Sequence, residues 1–344
     1  MGIKSGGSNI NRFSQVPSQV ATAARQVLTH YALADAVTTL TSLGAAGGFS
    51  GALLWHCATA NQEACLRGWP LGGVNAGRLT WIHSELARIA VHCPGIPVPL
   101  KTVRGSTWVE WDGRLWEITP WLPGAADFAR NPSVARLAAA CTRLAAFHLA
   151  AQQGGERTVA PSPSIATRLE FMSQLDGGLW RTIHEAVTAR ASTAFAPRAR
   201  QLLAAYAQRA IPLRAELAAV GSSPFSLKTC HGDLWHDHVL YTGEDVSGFI
   251  DFGALRIDSP ASDLARLLGS LAKDDRQLWD AGFAAYGARA PLSEAERRLA
   301  ETIDRATVLL SGMNWLKWLF VEQRQFEDPQ RVQQRLDAIL ERTR

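Results

Sequence analysis

The chain has 344 residues, of which 47% are hydrophobic and 19% charged, with a formal net charge of +4. That length exceeds one small core and fits about two domains or lobes, and the composition is that of a globular protein, which excludes disorder as the starting assumption. The basic residues are scattered arginines without runs, so no nucleic-acid partner is expected, and the small positive excess is only a slight pointer to anionic ligands.

Cys57, Cys65, Cys93, Cys141 and Cys230 are odd in number, form no C-x-x-C pair and are spread along the chain, a pattern of reduced thiols in a cytoplasmic protein. No apolar stretch approaches the roughly 20 residues that span a bilayer, so no membrane partner is expected. The N-terminus "MGIKSGGSNINRFSQVPSQ" is polar and lacks the apolar run of a signal peptide.

Residues 1–16 read as a flexible tail. From Pro17, Val20, Val27, Leu28 and Tyr31 share one helical face, which predicts a first helix. The segment 36–70 then holds three short strand-like runs, with the glycine-rich "GAAGGFSG" (44–51) between the first two and "TANQ" between the second two. A helix is predicted around 76–92, followed by three further strand-like runs, "PVPLKTV", "STWVEWDG" and "RLWEITPW". Trp55, Trp69, Trp81, Trp108, Trp111, Trp116 and Trp121 crowd this half and are expected to build its core. Residues 17–121 thus read as a small, mostly antiparallel sheet carrying one helix, and 122–127, "LPGAAD", as a connector.

Beyond the connector, 128–344 is dominated by helical patterns. Leu137, Cys141, Leu144 and His148 share a face, 197–219 is an alanine-rich helix, and Pro260 suits a first helical position after Ser259, with Leu264, Leu267, Leu268 and Leu271 facing inward. Residues 290–342 are helical again, with Trp315 and Trp318 in their core. His148 reads as a helix-packing histidine.

The span "CHGDLWHDHVLYTGEDVSGFIDFG" (230–253) interrupts this helical half with three histidines and several aspartates. "HVLY" and "SGFID" flank the turn "TGED", so the second part is a predicted β-hairpin. A hairpin folds its ends together, which lets Asp233 and Asp251 approach. Two adjacent carboxylates repel unless one is protonated or a cation lies between them, and in an oxygen-rich site that cation is Mg2+. Asp233 can also supply a base beside an acceptor hydroxyl. A different reading of the same residues is a metal-dependent hydrolase, in which His231, Asp233, His236, Asp237, His238 and Asp251 cage Zn2+, Mn2+ or Fe2+.

"HGDLWHDHVL" followed by "IDFG" resembles the catalytic core of the aminoglycoside phosphotransferase and choline kinase-like family, whose pattern is H-G-D-x-x-x-x-N and, about a hairpin later, I/V-D-[FWY]-[GE]. The resemblance implies an α+β, two-lobed protein-kinase-like fold, with a small antiparallel β-sheet N-lobe and a mainly helical C-lobe. It also implies an ATP-dependent phosphotransferase that moves the γ-phosphoryl of ATP or GTP to a hydroxyl or amine of a small metabolite or antibiotic. Asp233 would then be the catalytic base, His231 a structural member of its loop, Asp251 the Mg2+ ligand and Asp263 a brace for the loop. "LAAFHLA" at 144–150 is similar to the family's helix after the connector.

Two positions depart from the family's pattern. His238 stands where Asn is usual as the second metal ligand, and Arg67, in "EACLRGWP", where the third strand usually offers Lys. The resemblance further casts Gly47, Gly48, Phe49, Ser50 and Gly51 as a phosphate-cradling loop, Glu85 in "IHSELARIA" as ion-pair partner of Arg67, and "EITPWLPG" (117–124) as the hinge that meets the adenine. A non-catalytic nucleotide-binding relative is the reading in which Arg67 and His238 mark lost activity. The C-terminal helices carry mixed charges and no dense acidic patch that would suit a polycationic acceptor, and no oligomeric state can be read.

Overall fold

The computed structural model describes residues 18–33, 36–44, 51–155, 158–326 and 328–343. They divide into two compact units, one of residues up to 87 together with 97–121, the other of 88–96 together with 122 onward.

The first unit contains α1 (Ser18–Leu28), β1 (Thr39–Gly44), β2 (Leu53–Ala58), β3 (Glu63–Gly68), most of α2 (Ala76–Ala90), β4 (Val109–Trp111) and β5 (Arg114–Pro120). The strands form one antiparallel sheet in the order β1-β2-β3-β5-β4. Along β3 burial alternates, with Ala64, Leu66 and Gly68 turned inward, as a half-buried strand requires. Val27, Leu28 and Tyr31, which the helical spacing of the first segment singles out, are buried in one core with Trp55, Leu66, Val109, Trp116 and Ile118. Gly68 lies opposite Trp116 in the register, and any Cβ there would strike the indole.

The tryptophans do not all build this core. Trp55, Trp69 and Trp116 are buried, but Trp111 ends the edge strand and Trp121 follows β5, and these two stay 37% and 41% exposed. The run 97–103 is not a strand either. Pro97 and Pro99 lack N–H donors, so the segment contributes single bonds, Leu100 N–H to Ile118 O (2.8 Å) and Thr102 N–H to Ser106 O (2.7 Å).

The second unit follows the order α3 (Val134–Gln152), β6 (Thr158–Ala160), α4 (Pro163–Gln174), a π-turn at Leu175–Leu179, α5 (Trp180–Ala189), α6 (Ala196–Gly221), β7 (Phe225–Cys230), β8 (Val239–Thr242), β9 (Asp245–Phe249), β10 (Arg256–Asp258), α7 (Pro260–Leu271), α8 (Arg276–Gly287), α9 (Glu294–Leu316) and α10 (Pro329–Glu341). Residues 88–96 belong here because Phe249 N–H donates to Gly95 O at 3.2 Å and Arg143 donates to Pro94 O. Local chemistry sets the helix starts. Ser133 caps α3, Ser259 with Pro260 opens α7, and Ser293 with Glu296 forms a capping box on α9. By length and apolarity α3 is the one helix among the described residues fit to cross a membrane, yet Leu137, Cys141, Leu144, His148 and even Arg136 are buried in it, which makes it the unit's core helix.

The predicted hairpin is β8–β9, turned at Gly243-Glu244 with Gly243 in the left-handed region (φ +64°). Beside it lies a three-stranded sheet, β10-β7-β6.

Arg342, at the end of α10, closes the unit. Its guanidinium donates to Asp304 Oδ2 of α9 (2.6 Å), to Gly269 O of α7 (3.1 Å) and to Asp274 Oδ1 (2.9 Å). Asp304 is buried, so without Arg342 its carboxyl loses its main partner. Arg342→Ala is expected to cost about 3 kcal/mol, the usual penalty for breaking a buried pair from one side. Urea unfolding measures it, and a loss below about 1 kcal/mol would mean that the clamp is a solvated surface pair.

Candidate active site

The site is built on the loop that leaves β7. His231 and Gly232 direct their backbone N–H groups at one carboxylate, that of Asp263 in the first turn of α7, with His231 N–H to Oδ2 at 2.6 Å and Gly232 N–H to Oδ1 at 2.8 Å. His148 of α3 adds a third donor, its Nε2 lying 3.0 Å from Asp263 Oδ2. An ionised carboxylate only accepts, so Nε2 carries the proton, and His148 Nδ1 accepts from the Tyr286 hydroxyl at 2.9 Å.

Burial pushes the Asp263 carboxyl upward, but the His148 hydrogen bond and the neighbouring Arg256 guanidinium outweigh it and hold it below the usual carboxylate range. Burial likewise holds His148 and His231 below the ordinary histidine value, in the neutral form. Gly232 is in the left-handed region (φ +85°) and a Cβ there would meet the carbonyl of Ala254, so the loop can make this turn only with glycine.

His231 is wholly engaged, its Nε2–H donating to Ile250 O (2.9 Å) and Nδ1 accepting from Asp233 N–H (3.3 Å). It ties the loop to the far end of the hairpin and reaches no solvent. Asp233 is 45% exposed and its Oδ1 accepts from Arg266 Nε of α7 at 2.8 Å. Arg256 reaches the same loop from β10, donating to Gly232 O (2.9 Å) while its Nε pairs with the buried Asp258 (3.1 Å).

Asp251 ends the hairpin in a left-handed conformation (φ 62°, ψ 63°) that a non-glycine residue rarely takes, the kind of backbone strain that collects at functional positions. Its Oδ2 lies 3.5 Å from His238 Nε2. His238 Nδ1–H donates to the Asp233 carbonyl (2.8 Å), and its Nε2 accepts from the Trp235 indole N–H (3.1 Å). The ring is thereby fixed to the Asp233 end of the site and lies beside Asp251 with no proton on Nε2 to give it.

These bonds bear on the expected metal ligands. Asp251 offers a partly exposed hard carboxylate oxygen, a donor that fits Mg2+. His238 does not fit as placed, since one nitrogen is protonated and the lone pair of the other is taken by Trp235. The alternative cage of His231, Asp233, His236, Asp237, His238 and Asp251 is not assembled either. His231 has both nitrogens engaged, and His236 Nε2 pairs with Asp237 (3.3 Å). Among the described residues the one group of such side chains with ligand atoms within 4.8 Å of one another is His148, Cys230 and Asp263. Both nitrogens of that histidine are occupied, and burial drives the Cys230 thiol well up, so it stays a thiol that donates to Asp258 O (3.3 Å).

Of the residues expected to hold nucleotide, Gly47, Gly48, Phe49 and Ser50 lie outside the described residues, and Gly51 follows them with φ +73°. Arg67 lies on β3 with its guanidinium carbon 4.1 Å from the Trp69 ring centroid, and in the sheet register it faces Glu117 of β5. Glu85 is half-buried on α2. The α2 side chain that reaches the sheet is His83, whose Nε2 is 2.5 Å from buried Glu117 and whose Nδ1 is 2.7 Å from Thr107 Oγ1.

Sequence reasoning missed Arg266, Trp235 and the brace made by His148. The first follows Asp263 by three positions on one helix, which was a readable signal. The meeting of His148 with Asp263 across 115 positions left none.

The profile of the phosphotransferase enzyme family APH matches residues 43–301, and the chain belongs to that family. Among curated proteins it is 29% identical over 231 residues to a homoserine kinase of Gluconacetobacter diazotrophicus, covering 65% of each chain. The chain thus spans just under two thirds of the length of that relative. Among solved structures it is similar to a spectinomycin phosphotransferase in complex with ADP and spectinomycin (TM-score 0.65, 11% identity, 94% of this chain and 97% of that one). A choline/ethanolamine kinase family protein from Mesorhizobium loti gives a TM-score of 0.61 at 18% identity, covering 94% and 93%. These likenesses show the two-lobed α+β kinase-like fold.

The buried neutral histidines make a pH prediction. Their folded-state pKa values lie below the unfolded value of about 6.5. Below that pH the unfolded chain binds protons that the folded chain refuses, so stability falls as pH drops from about 6.5 toward 5. With two such groups the slope approaches about 2.7 kcal/mol per pH unit. Urea midpoints at several pH values test this, with His148→Gln expected to remove about half the slope; stability that is flat or rising on acidification would show that these rings ionise in the fold.

Proposed function

We propose that this protein is a cytoplasmic small-molecule phosphotransferase that moves the γ-phosphoryl group of ATP or GTP to a hydroxyl of a small acceptor. The observation that carries the reading is the pair of aspartates on either side of one imidazole. Asp233 sits on a loop fixed by the buried Asp263 carboxylate, Asp251 is held in a strained turn, and His238, bonded to the Asp233 carbonyl, lies 3.5 Å from the Asp251 carboxylate. The family membership and the five free thiols support it.

In this reading Asp233 orients the acceptor and takes its hydroxyl proton as the oxygen attacks the γ-phosphorus and the bond to the leaving nucleoside diphosphate breaks. Asp251 would hold Mg2+, which would supply positive charge to the phosphates. His231 is positioning, since both its nitrogens are engaged in the loop. Arg67 and the 47–51 loop would contact the phosphates, and Glu85 would steady Arg67. Arg266 holds the carboxylate of Asp233 from its side, leaving the other oxygen for the acceptor. The non-catalytic alternative is not favoured, because both aspartates and their supports are in place.

The roles separate in two variants. Asp233→Asn is expected to keep the rise in melting temperature on adding Mg2+-ATP and to lose about 10^2- to 10^4-fold in turnover. Asp251→Asn is expected to lose most of that rise itself. Turnover is read as ADP release with an acceptor panel that includes homoserine, ethanolamine and spectinomycin. Equal loss of nucleotide binding in both variants would contradict the assignment.

A further inference from the structure

Around Asp233 the second unit gathers several guanidinium groups. Trp235 is flanked by two guanidinium groups, those of Arg266 from α7 and Arg335 from α10, each 5.4 Å from its ring. The two cations are therefore no more than twice that distance apart. Arg266 is spoken for by Asp233. Arg335 is half-buried and forms no ion pair with a carboxylate among the described residues. Burial and the nearby Arg266 hold its guanidinium below the ordinary arginine value, while Asp233 and Asp237 pull the other way.

A further arginine behaves in the same way. Arg168 of α4 donates to Ser164 O (2.9 Å) and Thr307 Oγ1 (2.6 Å), forms no ion pair among the described residues, and is pushed down to about 10 by burial and by Arg256, with Asp258 and Asp304 pulling the other way. Asp237, the other acid near Trp235, lies 3.3 Å from His236, which burial holds below the ordinary histidine value, and its charge acts on Arg335 from beyond ion-pair distance.

Arg266 and Arg256 pair with Asp233 and Asp258, while Arg335 and the more distant Arg168 have no carboxylate within ion-pair distance among the described residues. Bringing cations together in a half-buried place is costly unless an anion completes it. A guanidinium beside an indole keeps its planar N–H fork, which can receive a carboxylate or phosphate in two parallel bonds. A polycationic or quaternary ammonium acceptor would meet repulsion at this place.

We infer that the acceptor phosphorylated beside Asp233 carries an oxyanion, a carboxylate or a phosphate, which is bound by Arg335 on the Trp235 platform. This rests on the phosphotransferase reading and adds the substrate class to it. Arg335 is a specificity-determining residue, and the hydroxyl to be phosphorylated belongs to the same molecule as the anion.

The full-length protein is tested with hydroxy acids and hydroxy amino acids, with phosphorylated alcohols such as glycerol phosphate, and with the matched esters and amino alcohols that lack the anion. Melting temperature and ADP release are both read, with and without Mg2+-ATP. At least one anionic class is expected to stabilise the protein and turn over while its uncharged or cationic counterpart does neither, and the class that does so identifies the anion. In Arg335→Gln the KM for that acceptor is expected to rise about 10-fold or more with kcat within about threefold, the signature of lost uniform binding. Arg335→Lys, which keeps the charge and loses the fork, is expected to fall between, and the KM for ATP to stay unchanged in both. Stabilisation by no oxyanion, turnover confined to amines, or a KM indifferent to Arg335→Gln each overturns the inference. Absence of any Mg2+-ATP stabilisation would instead overturn the underlying phosphotransferase reading.

Discussion

One buried carboxylate organises the second unit of this protein. Asp263 is fully buried, and an ion in that place is tolerable only if its lone pairs are met by well-placed donors. The donors it finds are the N–H groups of His231 and Gly232 and the ring of His148, which is itself fixed by Tyr286. Four segments, α3, the end of β7, α7 and α8, are thereby referred to one point. The loop cannot relax without stranding a charge in the core, so Asp233, two residues from the grip, has little freedom to wander. Positioning of this kind removes orientational entropy before a substrate arrives.

Arginine does a second kind of bracing. Arg256 satisfies the buried Asp258, the carbonyl of Gly232 and Ser164 Oγ with one planar group, and Arg342 joins α7, α9 and the turn at Asp274 in the same way. A lysine offers a compact charge that could meet one or two of these partners but not a fan of carbonyl and carboxylate oxygens. The chain's few lysines and many arginines are in this light a consequence of how its helices are fastened.

How far the sequence could be read follows from the range of the interactions. The hairpin at 239–249, the Ser259-Pro260 helix start and the inward leucines of α7 rest on local turn, cap and periodicity signals, and each appears as expected. The strand expected at 97–103 is missing because apolar residues alternate there without the N–H donors that pairing needs. Trp111 and Trp121 were assigned to the core on composition, but their places at a strand edge and beyond a strand end leave one face open. The motif residues Asp233 and Asp251 were legible as types at a spacing. What they touch was not, because Arg266, Trp235 and His148 come to them through packing of elements far apart in the chain. The expected ligand role of His238 failed to anticipate a tryptophan three residues earlier that takes its lone pair.

That last contact gives the departure at position 238 a physical meaning. An asparagine there could donate from its amide nitrogen to the Asp233 carbonyl and keep its oxygen for a cation. The imidazole keeps the first function, with Nδ1–H on that carbonyl, and gives its acceptor to Trp235. The indole so fixed has the guanidinium groups of Arg266 and Arg335 each 5.4 Å from its ring. On the proposed reading the substitution therefore exchanges one metal oxygen for a rigid aromatic platform beside the base. It leaves Asp251 as the carboxylate on which the metal depends in this unit, with phosphate and water oxygens completing a shell that Mg2+ accepts readily. A protein whose acceptor is itself anionic gains from that exchange, because the cations on the platform hold the acceptor's charge next to a site already crowded with phosphate.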